Sequence, residues 1–145
     1  MLESIFAPYS GIGLLILRLA LGIVMIAHGW PKLNPNGPMK GPAGFGGFLK
    51  QMGVPLPILS GWVVALLETV GAVLLILGLR TRILAVGFVV DMVVAIRLVR
   101  IGMSKSPFAG GQGIGWEFEF ILAAAALALL FTGAGSIALD PIFGL

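Results

Sequence analysis

Apolar residues gather into four long runs, at 11–30, 59–79, 83–101 and 116–132, with polar positions mostly between them. Each run is close to the ~20 residues that a helix rising about 1.5 Å per residue needs to cross about 30 Å of hydrocarbon. The pattern therefore predicts an all-α integral membrane protein, a four-helix transmembrane bundle forming one unit over 1–145. The first run has no basic segment before it and no small-residue cleavage site after it, ending instead in His28-Gly29-Trp30-Pro31. It is read as retained, with the chain expected to begin near Met1. Between the first two runs, 31–58 is long for a plain connection and rich in Pro and Gly. Phe45, Phe48, Leu49 and Met52 fall at i, i+3, i+4 and i+7 there, predicting a short amphipathic helix at the membrane interface, although glycines at 44, 46 and 47 weaken it. Arg80-Thr81-Arg82 forms a minimal hairpin, and Gly110-Gly111-Gln112-Gly113 reads as a flexible turn before the last run.

Composition agrees with the pattern. Hydrophobic residues make up 59% of the chain and charged residues 10%, against roughly 45–50% and about 25% in ordinary soluble domains. With no cysteine, a disulfide-stapled fold is excluded, and the apolar content excludes disorder and a nucleic-acid partner. Loop charges give Lys32, Lys40, Lys50, Arg100 and Lys105 on one side and Arg80 with Arg82 on the other. That count favours a cytoplasmic long loop, while the tight Arg-Thr-Arg hairpin argues the other way.

Ionisable residues inside the runs carry the candidate chemistry. Each costs roughly 2.5–3.5 kcal/mol at mid-membrane on insertion scales, so they are expected to face one another or a wet cavity. Arg18 shares a helical face with Gly11, Gly22, Met25 and Gly29, Glu68 with Gly61, Ala65 and Ala72, and Asp91 with Gly87 and Ala95. Small-residue stripes mark close helix contacts, so the three charges are expected to converge. Each lies within roughly 4 Å of the centre of its span at the helical rise. This predicts a midplane layer in which Arg18 pairs with Glu68 or Asp91, as candidate catalytic residues. A second layer is expected at one mouth, where His28, Arg97, Glu117 and Glu119 meet at similar depth and Trp30 and Trp116 flank them, as a candidate ligand site. The same residues are equally compatible with structural ion pairs, snorkelling side chains and an interfacial aromatic belt.

Familiar redox and metal signatures are missing. Without cysteine there is no thiolate, iron–sulfur or Cys-ligated zinc chemistry, and a single histidine cannot supply the paired axial imidazoles of a membrane haem. No metal and no haem are expected, and electrons would have to pass through a bound ligand.

Leu17-Arg18-Leu19-Ala20-Leu21-Gly22 followed by His28-Gly29-Trp30-Pro31-Lys32-Leu33 resembles the first-helix signature of the DoxX family, an arginine, a glycine four on, then HGxxKL. Glu68-Thr69-Val70-Gly71-Ala72 with Gly78-Leu79-Arg80-Thr81-Arg82 is similar to its second helix and hairpin, and Met92 to Ala95 to its third-helix MxxA. Trp116-Glu117-Phe118-Glu119, Thr132-Gly133-Ala134-Gly135 and Leu139-Asp140 resemble its last helix and tail. Arg100 stands where the family pattern has a histidine, and Arg97 where it is usually apolar, making that mouth unusually basic. The resemblance implies a four-helix protein of the inner (cytoplasmic) membrane, linked in several members to quinone-dependent redox. One branch is similar to the membrane subunit of thiosulfate:quinone oxidoreductase, also described as a terminal quinol oxidase subunit.

Two functions stay open on these grounds. In the first, the chain is the membrane subunit of a quinone-linked oxidoreductase, binding quinone between its helices and drawing electrons from a partner redox subunit. There, Arg18 and His28 hold the ligand and Glu68 or Asp91 handles the proton. In the second, it is a non-catalytic membrane scaffold or assembly chaperone. Transport of a small anion is a third reading, which would require a homo-oligomer to make a pathway.

Overall fold

The computed structural model describes residues 2–110, 113 and 115–144. Every regular element among them is helical. A short turn, Leu2–Phe6, and a 3-10 turn, Ala7–Tyr9, lead into α1, Ser10–Leu33. The loop helix α2 spans Gly41–Gln51 and α3 spans Pro57–Leu77. Helix α4 begins as Thr81–Val94 and widens into a π-helix over Ala95–Met103. Then come α5, Glu117–Thr132, and a closing turn, α6, Asp140–Phe143. The four apolar runs thus become α1, α3, α4 and α5 within a few residues at each end. The predicted loop helix is α2, with Phe45 and Leu49 buried. Of the expected Gly-rich turn, Gly111 and Gln112 lie outside the described residues.

Two stretches, Ser4–Leu33 and Pro57–Leu77, are long and apolar enough to cross a membrane. Helix α4 carries Asp91, Arg97 and Arg100 along its length, and α5 has 16 residues. The distribution of exposure is inverted relative to a water-soluble fold. Phe131 is 78% exposed, whereas Arg18 is fully buried and Glu68 is 2% exposed. An outer surface of Ile16, Ile23, Val63, Val90 and Ile121 has no aqueous explanation on this scale and has the character of a lipid-facing belt.

Small residues set the packing, as expected where lipid removes the hydrophobic drive between helices and close van der Waals contact decides. Antiparallel α1 and α3 meet through Gly22 and Gly29. A Cβ on Gly22 would lie 3.1 Å from the Ala72 carbonyl oxygen, and one on Gly29 would lie 2.6 Å from Glu68 Cβ. The expected stripes on α1 and α3 are buried. On α4 the expectation is corrected: Gly87, Asp91 and Ala95 sit at the flank, and the buried face is Thr81, Ala85, Phe88 and Met92. Here α5 supplies the small partners, Ala123 and Ala126, so the bulk falls on α4. Asp91 is thereby turned away from the centre and towards α3.

Helix ends are tied across the fold rather than by their own side chains. Gly78, at φ +68°, turns the chain out of α3 in the left-handed conformation that glycine adopts without penalty. The Asp140 carboxylate accepts from the backbone N–H groups of Arg80 (2.6 Å) and Thr81 (2.9 Å), capping α4 from the far end of the sequence.

Candidate functional site

Arg18 does not reach the acids. Its Nη1 donates to Ile76 O at 2.7 Å and its Nη2 donates to Ile137 O, so it ties the open end of α3 to the tail. The last carbonyls of a helix have no intrahelical partner, and a guanidinium suits both their geometry and the negative end of the helix dipole. Gly78 makes room, since a Cβ there would lie 2.5 Å from Arg18 Nη1. The predicted midplane layer is therefore corrected. It assumed that each charge lies at the depth of its own span's centre, but depth follows the register of contact. With Gly29 against Glu68 and Arg18 against Ile76, eight residues of α3 separate the two charges, roughly 12 Å of helix. The acid whose charge acts on Arg18 is Asp140.

Glu68 instead belongs to the opposite end. Its carboxylate accepts from Lys32 Nζ through both oxygens, a nearly buried pair with side chains 2% and 17% exposed. Lys32 arrives there because α1 runs on through Pro31 to Leu33, past the expected end at Trp30, and so continues the face of Met25 and Gly29 by one turn. Its ammonium also lies 5.1 Å from the centre of the Phe45 ring, within cation–π range.

Lys32, Glu68 and Asp91 face a cavity of about 370 Å³ between α1, α3, α4 and the loop helix. The volume lies at the small end of the range for small-molecule sites, about 300–1,000 Å³. One wall is polar. His28 donates from Nδ1 to Val24 O at 2.9 Å, which leaves Nε2 as its remaining ring nitrogen. Arg100 Nε donates to Glu119 Oε1 at 2.7 Å. Asp91 Oδ2 and Glu119 Oε2 are buried with no hydrogen-bond partner. The other wall is apolar, made by Phe45, Phe48 and Leu49 of α2 and by Met52 just after it. The residues that predicted the loop helix thus form the cover of the cavity.

Both π-helical segments border this space. Leu67–Gly71 carries Glu68, and Ala95–Met103 carries Arg100. A π-turn pairs i with i+5, so Ala95 and Arg100 share a face that α-helical spacing would have split. The bulge in α3 is supported by Thr69, whose hydroxyl donates to Ala65 O at 2.6 Å.

Of the predicted site residues, the structure brings together Glu68, Asp91, His28 and Glu119 along this cavity. It separates the rest. Arg97 is exposed on the outer side of the π-helix, and Trp30 is 59% exposed. Trp116 packs edge-on against Phe108, with ring centres 4.5 Å apart, and against Phe120. Glu117 stands outside the lining, with Oε2 buried and unpartnered. Trp30, Arg97, Trp116 and Glu117 do not line the cavity, and the expectation for them rests on similar depth along their spans alone. Lys32 and Arg100 were missed as site residues; the signals for them were the helical continuation past Pro31 and the basic replacement at the end of α4.

Over 131 residues, 90% of this chain and 86% of the relative, the sequence is 35% identical to CatD of Bacillus subtilis (strain 168), which is named as a candidate oxidoreductase. It is 31% identical to the inner membrane protein YphA of Escherichia coli (strain K12) over 88% of this chain and 87% of the relative. No solved structure matches significantly. Residues 13–101, which hold most of α1, the loop helix, α3 and most of α4, match the DoxX family, and the chain is a membrane protein belonging to that family.

Proposed function

We propose that this DoxX protein is a multi-pass inner-membrane subunit of a quinone-linked oxidoreductase, with α1, α3, α4 and α5 as its four spans and α2 at the interface. The quinone ring binds in the cavity beneath α2. The observation that carries the reading is the two-sided lining. A flat ring bearing two carbonyl oxygens fits a space with aromatic and aliphatic side chains on one wall and cationic donors beside acids on the other. The name of CatD supports the oxidoreductase class, and that of YphA the inner membrane.

When bound, a quinone supplies the two-electron, two-proton couple that this chain's side chains lack. The protein's own residues bind, orient and move protons. Lys32 and Arg100 are the donors to ring oxygens, and His28 presents Nε2 to the same space. Asp91, through its unpartnered Oδ2, and Glu68 hold the protons that accompany electron transfer. The apolar residues of α2 exclude water from above. Electrons come from a partner redox subunit, thiosulfate or sulfur oxidation being one source of them. Arg18 takes no part in the chemistry, since it lies outside the cavity lining, its Nη1 and Nη2 donating to backbone carbonyls at the far end of α3.

The test is calorimetric titration of the purified protein in lipid nanodiscs with a tail-free naphthoquinone. His28→Ala is expected to weaken binding about tenfold, while the loss of thermal stability is confined to its ring contact with Phe118 and its bond to Val24 O. Arg97→Ala is expected to leave binding unchanged. Equal affinity in the unmodified protein, His28→Ala and Glu119→Gln would refute the site. It would favour the alternative, a non-catalytic membrane scaffold, whose support is that Arg18 and Asp140 bind only the fold's own backbone.

A further inference from the structure

A second cavity, about 580 Å³, opens beside the first. It is a groove between α3 and α4, floored by Leu67 and Gly87 and walled by Leu59, Val63, Val90 and Val94. Its polar groups are few. Ser60 is spent, its hydroxyl donating to Pro55 O at 2.9 Å. What remains is the Asp91 carboxylate. Asp91 also lines the polar chamber, as do Leu49, Val64 and Val94, so the two spaces meet at these residues. Val63 and Val90 are each 56% exposed, placing the groove's outer lip on the lipid-facing surface.

From this continuity we infer that the groove holds the hydrocarbon tail of the same amphiphile whose ring occupies the chamber, with the tail passing Asp91 into the bilayer between α3 and α4. The inference rests on the proposed ring site and adds to it where the tail of such a ligand lies and the route by which it enters. The chamber carries two ion pairs, whereas the groove is apolar apart from Ser60 and Asp91. The groove has the required character and size. At roughly 30 Å³ for a unit the size of a water or methylene, it takes on the order of fifteen to twenty carbons. Lipid is as apolar as the groove, so the tail gains little affinity by leaving the bilayer. The groove therefore acts as a passage, and obstructing it excludes the ligand sterically.

The experiment compares two probes in nanodiscs: a naphthoquinone ring without a tail and the same ring with four isoprene units. Val90→Trp fills the groove from the exposed face of α4 without entering the core. It is expected to weaken the tailed probe about tenfold while leaving the tail-free ring within about twofold. A tailed probe bound equally well by Val90→Trp and by the unmodified protein overturns the groove while leaving the chamber intact. Failure of the tail-free ring to bind the unmodified protein overturns the chamber, and the groove with it. As a check independent of any variant's folding, a photoreactive diazirine midway along the tail should label residues 54–67 or 87–94. Labelling confined to α1 or α5, or a phospholipid held there that the tailed probe does not displace, overturns the proposal.

Discussion

Substituting Gly29 by alanine tests whether the contact of α1 with the π-turn of α3 sets the position of Glu68. In an open helix, glycine to alanine stabilises by roughly 0.5–1 kcal/mol, since the backbone loses less freedom on folding. At Gly29 the new methyl would stand 2.6 Å from Glu68 Cβ and 2.8 and 2.9 Å from its carbonyl carbon and oxygen. Two of those atoms are backbone, so no flexible side chain can swing aside. Overpacking of this kind costs typically 1–3 kcal/mol, and the net expectation is a loss of roughly 1–2 kcal/mol. Gly13 lies on the same helix with no heavy atom within 4 Å of the corresponding position. Gly13→Ala should therefore stabilise by about 0.5–1 kcal/mol, giving the two variants opposite signs. Dodecyl sulfate titration in mixed micelles, followed by circular dichroism, measures both. A Gly29→Ala protein as stabilised as Gly13→Ala would refute the register described for α1 and α3.

Two further substitutions separate the ends of the molecule. Lys32→Met leaves the nearly buried Glu68 carboxylate without its cation and should cost about 3–5 kcal/mol, most of which returns in the Lys32→Met/Glu68→Gln double variant; equal instability of single and double variants in the same titration would remove the pair from the account. Arg18→Met strips donors from the Ile76 and Ile137 carbonyls, at about 1–3 kcal/mol for each group left unsatisfied. Glu68→Gln should not rescue it, and the two changes should add within about 0.5 kcal/mol, as for distant sites.

How much of this was legible in the sequence depends on which quantity each feature obeys. Helix existence follows hydrophobic length, so the four runs and the loop helix emerge close to their observed bounds. The facing of Arg18 and Glu68 follows from small-residue stripes and also holds. Registry does not follow from either, because two antiparallel helices can slide by whole turns while keeping the same faces in contact. Depth therefore puts Arg18 and Glu68 in one layer, although about two turns of α3 divide them. The π-turns are equally silent in sequence. Nothing in Ala95-Ile96-Arg97-Leu98-Val99-Arg100 distinguishes an i+5 spacing from an i+4 spacing. That difference presents Arg100 to the cavity and leaves Arg97 exposed. Proline also misled in a specific way. Pro31 reads as a stop, yet a proline in the last turn removes a single backbone donor, and the helix carries Lys32 one turn further onto the contact face.

The unmet hydrogen-bonding groups of the two ends differ in kind, and the difference bears on which end can change its occupant. Among the described residues, the buried groups without a partner at the α3–α4 hairpin are Arg18 Nε and Thr81 Oγ1, one of a guanidinium's several donors and a neutral hydroxyl. At the other end they are carboxylate oxygens, of Asp91, Glu117 and Glu119. The cavity end thus leaves three carboxyl oxygens without a partner, against one nitrogen and one hydroxyl at the hairpin. It also carries both π-turns, which exchange regular hydrogen bonding for side-chain placement. A fold that only needed to hold its helices together would gain by replacing Asp91 with an apolar residue, as buried ion clusters often can be. Asp91 instead stands where the polar chamber meets the apolar groove, the position at which a proton-handling acid is useful to a ligand with one end in each.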